Sequence, residues 1–560
     1  MFKNIFLISI AFCLLINTAI SQQCFNKNNL NWRSGNNKLS LNDQQITIQG
    51  IAWFGMETGT FSPGGLKTTS VEALLDLLVQ LKFNALRLPF SVDMILNNRY
   101  PNEINYSLNP NLRGKTALQV LQYITEKSGE RGILVVLEQH RFDPSDYISA
   151  LWYSTQCITN VDGACVNYTP ELVVQSWITL TKLFQQYWNL WALDIKNEPH
   201  DPATWGAGNP ATDFDKAFTS ISNQIGSATN FNGVYFIEGV QNNNAICSNN
   251  YNNWWGGNMS PVQCFPVYLN QADRLVYAPH TYCSSVFDQE YFNTADYPEN
   301  MPTVWDSQFG FLYNNYYALV LGEWGCKLNN TKNQKWMDRF VTYLNDKNIK
   351  SHLFFSLNPD SADTDSPLYA DWKSINQNTV NVLNRINSSP TKFTPNGNQI
   401  CLGAVSTTTA PATTGVASTT GKPSTTGSAT TGSATTGSAT TGSATTGSAT
   451  TGSATTGSVT TTGSTSGSSN IIINQVVRQT WFDGTSNYMV VDGTIKNGGS
   501  TNTNSPKLRS DKIPQQIWGL DSGAGNTWTL SWNPTLTPGQ SIEFGYIVAS
   551  SSPIQFTIIA

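Results

Sequence analysis

The feature that most constrains this chain is an alternation of short apolar runs with amphipathic stretches across residues 22–405. Ile46–Trp53, Ala85–Pro89, Ile133–Gln139, Trp191–Asn197, Val234–Glu238, Leu275–His280, Ala318–Glu323 and His352–Ser356 read as buried strands. Between them, Ser70–Lys82 sets Val71, Leu74, Leu75 and Leu78 on one helical face, and Thr116–Ser128 and Pro170–Trp188 repeat the pattern. Eight such strands with intervening helices predict an α/β fold, a (β/α)8 TIM barrel with long loops. A doubly wound open sheet is the alternative. It gives no reason for eight strands, or for polar residues at so many strand ends.

The chain is too long for one domain. From Ser406 to about Asn470 it is almost entirely Thr, Ser, Gly and Ala, with Thr-Thr-Gly-Ser-Ala repeated and Lys422 the one charge. Such a segment cannot bury enough apolar area to offset ordering, so residues 406–470 are expected to be a disordered, O-glycosylated tether. Beyond it, residues 471–560 change character. Val476–Phe482, Tyr488–Lys496, Thr527–Trp532 and Ile542–Val548 alternate β-branched and aromatic residues with polar ones, which predicts a small all-β sandwich.

At the other end, residues 1–21 read as a secretory signal: Lys3, the apolar stretch Ile5–Ile16, then Ala19-Ile20-Ser21. A secreted, extracellular protein starting near Gln22 is expected, with no membrane span. Of nine Cys, Cys13 lies in that leader, and the other eight suggest four disulfides in an oxidising compartment. We expect Cys157–Cys165, Cys247–Cys264, Cys283–Cys326 and Cys24–Cys401, although spacing alone leaves other pairings open. Sequons at Asn105, Asn167, Asn258, Asn329 and Asn387 permit N-glycans on surface loops. With a net charge of −5 and only 12% charged residues, nothing favours nucleic acid or an anionic membrane. An aromatic content of 11% suits a neutral, sugar-like partner. No Cys or His spacing points to zinc, and no metal or cofactor is expected.

Two strand-end acids stand out, Glu198 in Leu193-Asp194-Ile195-Lys196-Asn197-Glu198-Pro199 and Glu323 in Leu321-Gly322-Glu323-Trp324-Gly325. Strand C-termini converge on one face of a barrel, so the two can meet across one cleft. A facing pair of carboxylates is the minimal machinery for cleaving a glycosidic bond. Other strand ends bring Arg87 inside an apolar run, His140 after Glu138-Gln139, and His280 with Tyr282.

These stretches resemble glycoside hydrolase family 5 endoglucanases. The matching segments are Trp53-Phe54-Gly55, Leu86-Arg87-Leu88-Pro89, His140-Arg141, Asn197-Glu198-Pro199-His200, Glu238-Gly239-Val240-Gln241, Trp254-Trp255-Gly256-Gly257-Asn258, Gly322-Glu323 and Asn358-Pro359-Asp360-Ser361. The resemblance implies a retaining mechanism, with Glu323 as nucleophile, Glu198 as acid/base and Asn197 on the sugar 2-hydroxyl. It further implies that Arg87 and Tyr282 position Glu323, while His140 and His280 complete the polar shell. One departure is expected to weaken or shift substrate binding: Phe355 stands where the family places a Trp floor. Trp53, Trp152, Trp205, Trp254, Trp255 and Trp324 are candidate cleft platforms, some of them core.

The C-terminal segment, with Gln516-Ile517-Trp518-Gly519-Leu520 and Pro538-Gly539-Gln540, resembles family 49 carbohydrate-binding modules. That resemblance makes Tyr488, Trp518 and Trp532 the cellulose-stacking positions, with Trp481 and Trp528 more plausible as core. The expected whole is a secreted, monomeric endo-1,4-β-glucanase acting on cellulose-type β-glucan. Xyloglucan, mannan or mixed-linkage glucan is the nearest alternative substrate. A non-catalytic cellulose-binding wall or coat protein is the alternative from another class.

Overall fold

The computed structural model describes residues 23–404, apart from 243–246, 248–250, 316 and 387–388, then 458–461, 471–482 and 486–559 apart from 505, 524 and 531–534. The chain divides into two compact units, Met1–Val416 and Ala417–Ala560.

The first unit is built on one parallel sheet. Its strands are β1 (Gln49–Ala52), β2 (Ala85–Ser91), β3 (Leu134–Arg141), β4 (Leu190–Asp194), β5 (Val234–Ile237), β6 (Leu275–Tyr277), β7 (His280–Tyr282), β8 (Leu321–Gly325) and β9 (His352–Phe354). The hydrogen-bonded order is β6-β5-β4-β3-β2-β1-β9-β8-β7. This is the expected (β/α)8 barrel, with one strand in two pieces. Leu275–His280 does not run as a single strand, because Pro279 has no N–H to continue the ladder. The first piece pairs with β5 and the second with β8. A parallel bridge between Tyr277 and Leu319 closes the ring.

The helices form where the apolar spacing placed them. In α1 (Val71–Gln80) the buried residues are Val71, Leu74, Leu75 and Leu78, and the Ser70 side chain caps the Ala73 N–H. In α2 (Pro170–Phe184) Thr169 caps the Leu172 N–H and Pro170 takes the first turn, where it removes no needed donor.

The stretch Ile46–Trp53, expected as one strand, is divided. Gln44–Ile46 belongs to an antiparallel hairpin sheet with Trp32–Gly35 and Lys38–Leu41. At the junction the Thr47 and Ile48 N–H groups turn to the hydroxyls of Thr391 and Ser351. Trp32, Leu39, Leu41 and Ile46 pack with barrel residues such as Ala85, Val136, Trp191, Phe236 and Leu353 in one apolar cluster. Gln23–Asn26 joins Gln399–Ala404 and Thr391–Asn396, with Cys24 directly opposite Cys401. All four expected disulfides are formed.

In the second unit, Ile471–Phe482, Asn487–Asn497 and Ser541–Ala549 form an antiparallel sheet with Gln516–Trp518. A second sheet joins Leu520–Ser522, Thr527–Leu530, Leu508–Ser510 and Phe556–Ile558. Their shared core contains Met489, Val491, Leu508, Trp528, Phe544, Tyr546 and Phe556. Ser458–Thr461 departs from the tether expectation, for its backbone pairs with the strand Ile471–Phe482. Val459-Thr460-Thr461 breaks the Thr-Thr-Gly-Ser-Ala repeat with consecutive β-branched residues, which favour a pleated strand. The rest of 406–470, and the leader 1–21, lie outside the described residues. No described helix is long and apolar enough to cross a membrane.

Candidate active site

Six strands deliver the site. Arg87 points inward from β2 and is fully buried, a guanidinium that must find acceptors or stay out. It finds four carboxylates. Nη1 donates to Glu323 and lies 3.4 Å from Glu138, while Nε donates to Asp194 at 3.0 Å and Nη2 lies 3.3 Å from Glu238. Nη2 also donates to Asn197 Oδ1 at 3.0 Å. Glu323 receives Arg87 on one oxygen and the Tyr282 hydroxyl on the other. Burial and the Glu323 charge push the Tyr282 phenol well above its ordinary range, so it remains a neutral donor.

Glu198 lies just past β4 with a left-handed backbone, φ 51°. A non-glycine residue there is strained and persists only where surroundings hold it. His280 Nδ1 is 3.1 Å from Glu198 Oε1 and 3.7 Å from Glu323 Oε2. Burial works to lower the His280 pKa, but the charges of Glu238 and Glu323 outweigh it and hold the imidazole well above its usual value. The imidazolium form therefore dominates near neutrality. His140 follows the same rule: burial opposes its proton, and Glu138, 3.0 Å from Nδ1, retains it.

One oxygen of Glu198, one of Glu323 and a ring nitrogen of His280 all lie within 4.8 Å of one another. Such a set could hold a cation. Here both Glu323 oxygens already accept from Arg87 and Tyr282, and Glu198 Oε1 faces an imidazole that keeps its proton.

The site opens into a cleft of about 670 Å³ lined by Glu198, Glu323, His140, Tyr282, Trp255 and Phe355, among others. Phe355 stacks on Phe54 with centroids 5.6 Å apart and meets Tyr282 edge-on. Trp255 lies flat on His200 at 3.7 Å, and His200 Nδ1 donates to the Glu198 carbonyl.

Several platform expectations are corrected. Trp53 is fully buried, with its indole N–H given to Gly64 O, and does not line the cleft. Trp152, Trp205 and Trp324 are core residues too, leaving Trp254 and Trp255 at the cleft. An aromatic at a strand end reads as a platform, but the pleat decides which way it faces. Asn258 is buried and its Oδ1 accepts from Ser260, so that sequon is not on a surface loop. Asn387 falls outside the described residues. In the C-terminal unit Tyr488 is half-buried. Trp528 is core, its indole donating to Ser510 Oγ at 2.9 Å. Trp532 and the side chains of Trp518 and Trp481 lie outside the described residues.

Asp194, Glu238 and Lys196 join the site without a role expected from the sequence. All three are buried behind the cleft. Burial, with Glu238 nearby, raises Asp194 well above the usual carboxylate range, and burial raises Glu238. Burial brings Lys196 down to about 8 against the pull of Glu238 and Glu138. Charged residues interrupting an apolar run, as Asp194 and Lys196 do in Trp191-Ala192-Leu193-Asp194-Ile195-Lys196, were the available signal.

A barrel with two facing carboxylates at its strand ends, in an open cleft, defines a glycoside hydrolase. Residues 42–361 match the family described as cellulase (glycosyl hydrolase family 5), and residues 471–550 match the carbohydrate binding domain CBM49. The chain belongs to the glycosyl hydrolase family 5 cellulases and carries a C-terminal carbohydrate-binding domain. It is thus an endoglucanase-type glycoside hydrolase. An endoglucanase of Paenibacillus polymyxa is 33% identical over 355 residues, 63% of this chain and 85% of that one. The major extracellular endoglucanase of Xanthomonas campestris pv. campestris is 34% identical over 352 residues, 62% of this chain and 69% of that one. The solved structure of its catalytic domain matches with a TM-score of 0.59 at 33% identity, covering 63% of this chain and 99% of that one. A hyperthermophilic endocellulase from the archaeon Pyrococcus horikoshii gives a TM-score of 0.60 at 32% identity, covering 65% and 100%.

Proposed function

We propose that this chain is a secreted endo-1,4-β-glucanase that cleaves cellulose-type β-glucan by retaining double displacement. Glu323 is the nucleophile and Glu198 the acid/base. The observation that carries this reading is the approach of the two carboxylates, with oxygens within 4.8 Å, across an open cleft. Retaining enzymes place the carboxyl groups about 5–5.5 Å apart, whereas inverting ones leave room for a water. The unequal surroundings supply the division of labour. Arg87 and Tyr282 both donate to Glu323, one to each oxygen, which fixes its carboxylate as the attacking group. Glu198 stands toward solvent beside His280, placed to give a proton to the leaving oxygen and later to take one from water.

The polymer reading draws on the relatives. The Pyrococcus horikoshii endocellulase was solved with cellotetraose, and the open cleft here suits a chain entering from the side. The C-terminal module would hold the enzyme on insoluble glucan. Phe355 at the cleft floor leaves xyloglucan, mannan or mixed-linkage glucan as the second reading.

Glu323→Gln and Glu198→Gln, assayed on an activated aryl cellobioside, test the mechanism. Glu323→Gln is expected to abolish turnover. Glu198→Gln should spare formation of the glycosyl-enzyme and slow its hydrolysis by about 10²–10⁴-fold. Equal activity in both variants and the parent would end the reading. Reducing ends released from carboxymethylcellulose, mannan and barley glucan, compared side by side, decide the polymer.

A further inference from the structure

Glu238 directly follows β5, is fully buried, and is not among the residues lining the cleft. Its two oxygens serve three neighbours that come from three other strands. Oε2 accepts the main-chain N–H of Glu198 at 2.6 Å. Oε1 lies 3.2 Å from His280 Nε2 and 3.3 Å from Arg87 Nη2. Space for the carboxylate exists because residue 256 is Gly, with φ 67°. A Cβ there would come within 2.4 Å of Glu238 Oε2 and 3.3 Å of the Glu198 Cα.

We propose that Glu238 is a positioning residue for the acid step: it locks the left-handed backbone of Glu198 and commits the His280 ring to Glu198 Oε1. The proposal rests on Glu198 acting as the acid. An imidazole is oriented by whatever its other nitrogen binds. With Nε2 held 3.2 Å from Glu238 Oε1 by charge attraction, without an aligned hydrogen bond, the His280 imidazolium gives its Nδ1–H to Glu198 Oε1. The transferable proton then resides on Glu198 Oε2. In the first step the C1–O bond breaks, Glu323 bonds to C1, and that proton passes to the departing oxygen. Glu198 is left as a carboxylate, stabilised through Oε1 by the His280 Nδ1–H. The carboxylates facing His280 are Glu198, Glu238 and Glu323, with Asp194 also acting on it. Glu238 is the one among them that reaches Nε2 and the Glu198 main chain together.

Glu238→Gln keeps the shape but offers a donor to one of three donors. The test uses the full chain and two aryl cellobiosides. Dinitrophenolate leaves without a proton, and phenolate needs one. kcat/KM, which reports steps through the first bond cleavage, is expected to fall about 10²-fold or more for the phenyl substrate and by a much smaller factor for the dinitrophenyl one. Equal falls would mean a merely structural role, and no fall would mean no role; either overturns the proposal. Glu198→Ala, run in parallel, must show the same leaving-group selectivity. If it does not, the assignment of Glu198 as acid fails first, a result distinct from failure of Glu238 alone. Gly256→Ala crowds the same carboxylate from outside and is expected to reproduce the selective loss. Should neither Glu238→Gln nor Gly256→Ala give a thermal melt like the parent's, Glu238 is a folding residue and the proposal falls.

Discussion

Arg87 shows how one side chain organises a site. A lone buried guanidinium would be prohibitive, and so would four buried carboxylates; together they offset one another. The same economy governs the titratable groups. His280 and His140 hold their protons to higher pH than they would unfolded, since the facing carboxylates outweigh burial. Their contribution to stability is complete below about pH 6.5 and is lost as pH rises through the folded values. Asp194 and Glu238, raised by burial, act in the same direction from about pH 4 upward, because the folded state retains protons the unfolded state releases. Lys196, near 8, acts oppositely above that pH. The barrel's melting temperature is therefore expected to fall between about pH 6 and 8, and His280→Asn to flatten that slope. Thermal melts across the range check it, and a slope unchanged by the substitution would refute it. At this scale Glu198, Glu323, Arg87, His140, His280 and Tyr282 were legible, each a polar residue at or inside an apolar run. Glu238 was not. An acid ending a strand looks the same whether it meets solvent or three donors.

At the scale of elements, periodicity placed every barrel strand within a few residues but missed two interruptions. Pro279 splits one strand, and the turn at Thr47 separates the hairpin sheet from β1. That sheet was hidden inside a single apolar run, because a run records burial and not the partner that provides it. The closing strands Gln23–Asn26 and Gln399–Ala404 are joined by Cys24–Cys401, 377 residues apart in sequence. A crosslink over so long a loop restricts the unfolded chain strongly. Replacing both cysteines by Ser is expected to cost about 2–4 kcal/mol in denaturant unfolding without altering kcat, because the pair lies far from the cleft residues in sequence and sheet. A midpoint equal to the parent's would show that the sheet closes without its staple.

For the whole molecule, two folded units with a low-complexity stretch between them divide the labour expected of an enzyme on an insoluble polymer. A tethered binder raises the local concentration of the catalytic unit without new contacts. Tyr488→Ala combined with Trp518→Ala in the full chain is expected to lower retention on insoluble cellulose about tenfold or more, with turnover of soluble carboxymethylcellulose unchanged. Equal retention by variant and parent in a pull-down would place the binding face elsewhere.

What the amino-acid order determined alone was the run of apolar strands, the caps and breakers between them, and which polar residues stand at strand ends. Those follow from local spacing, since burial of a run is written in its own residues. Only the tertiary structure decided that Trp53 turns into the core while Trp255 faces the cleft, and that Arg87 draws acids from four other strands around it. It also decided that Glu238 ties Glu198 to His280. Strand pleat, register and charge compensation between distant segments set these, and none exists before the barrel closes.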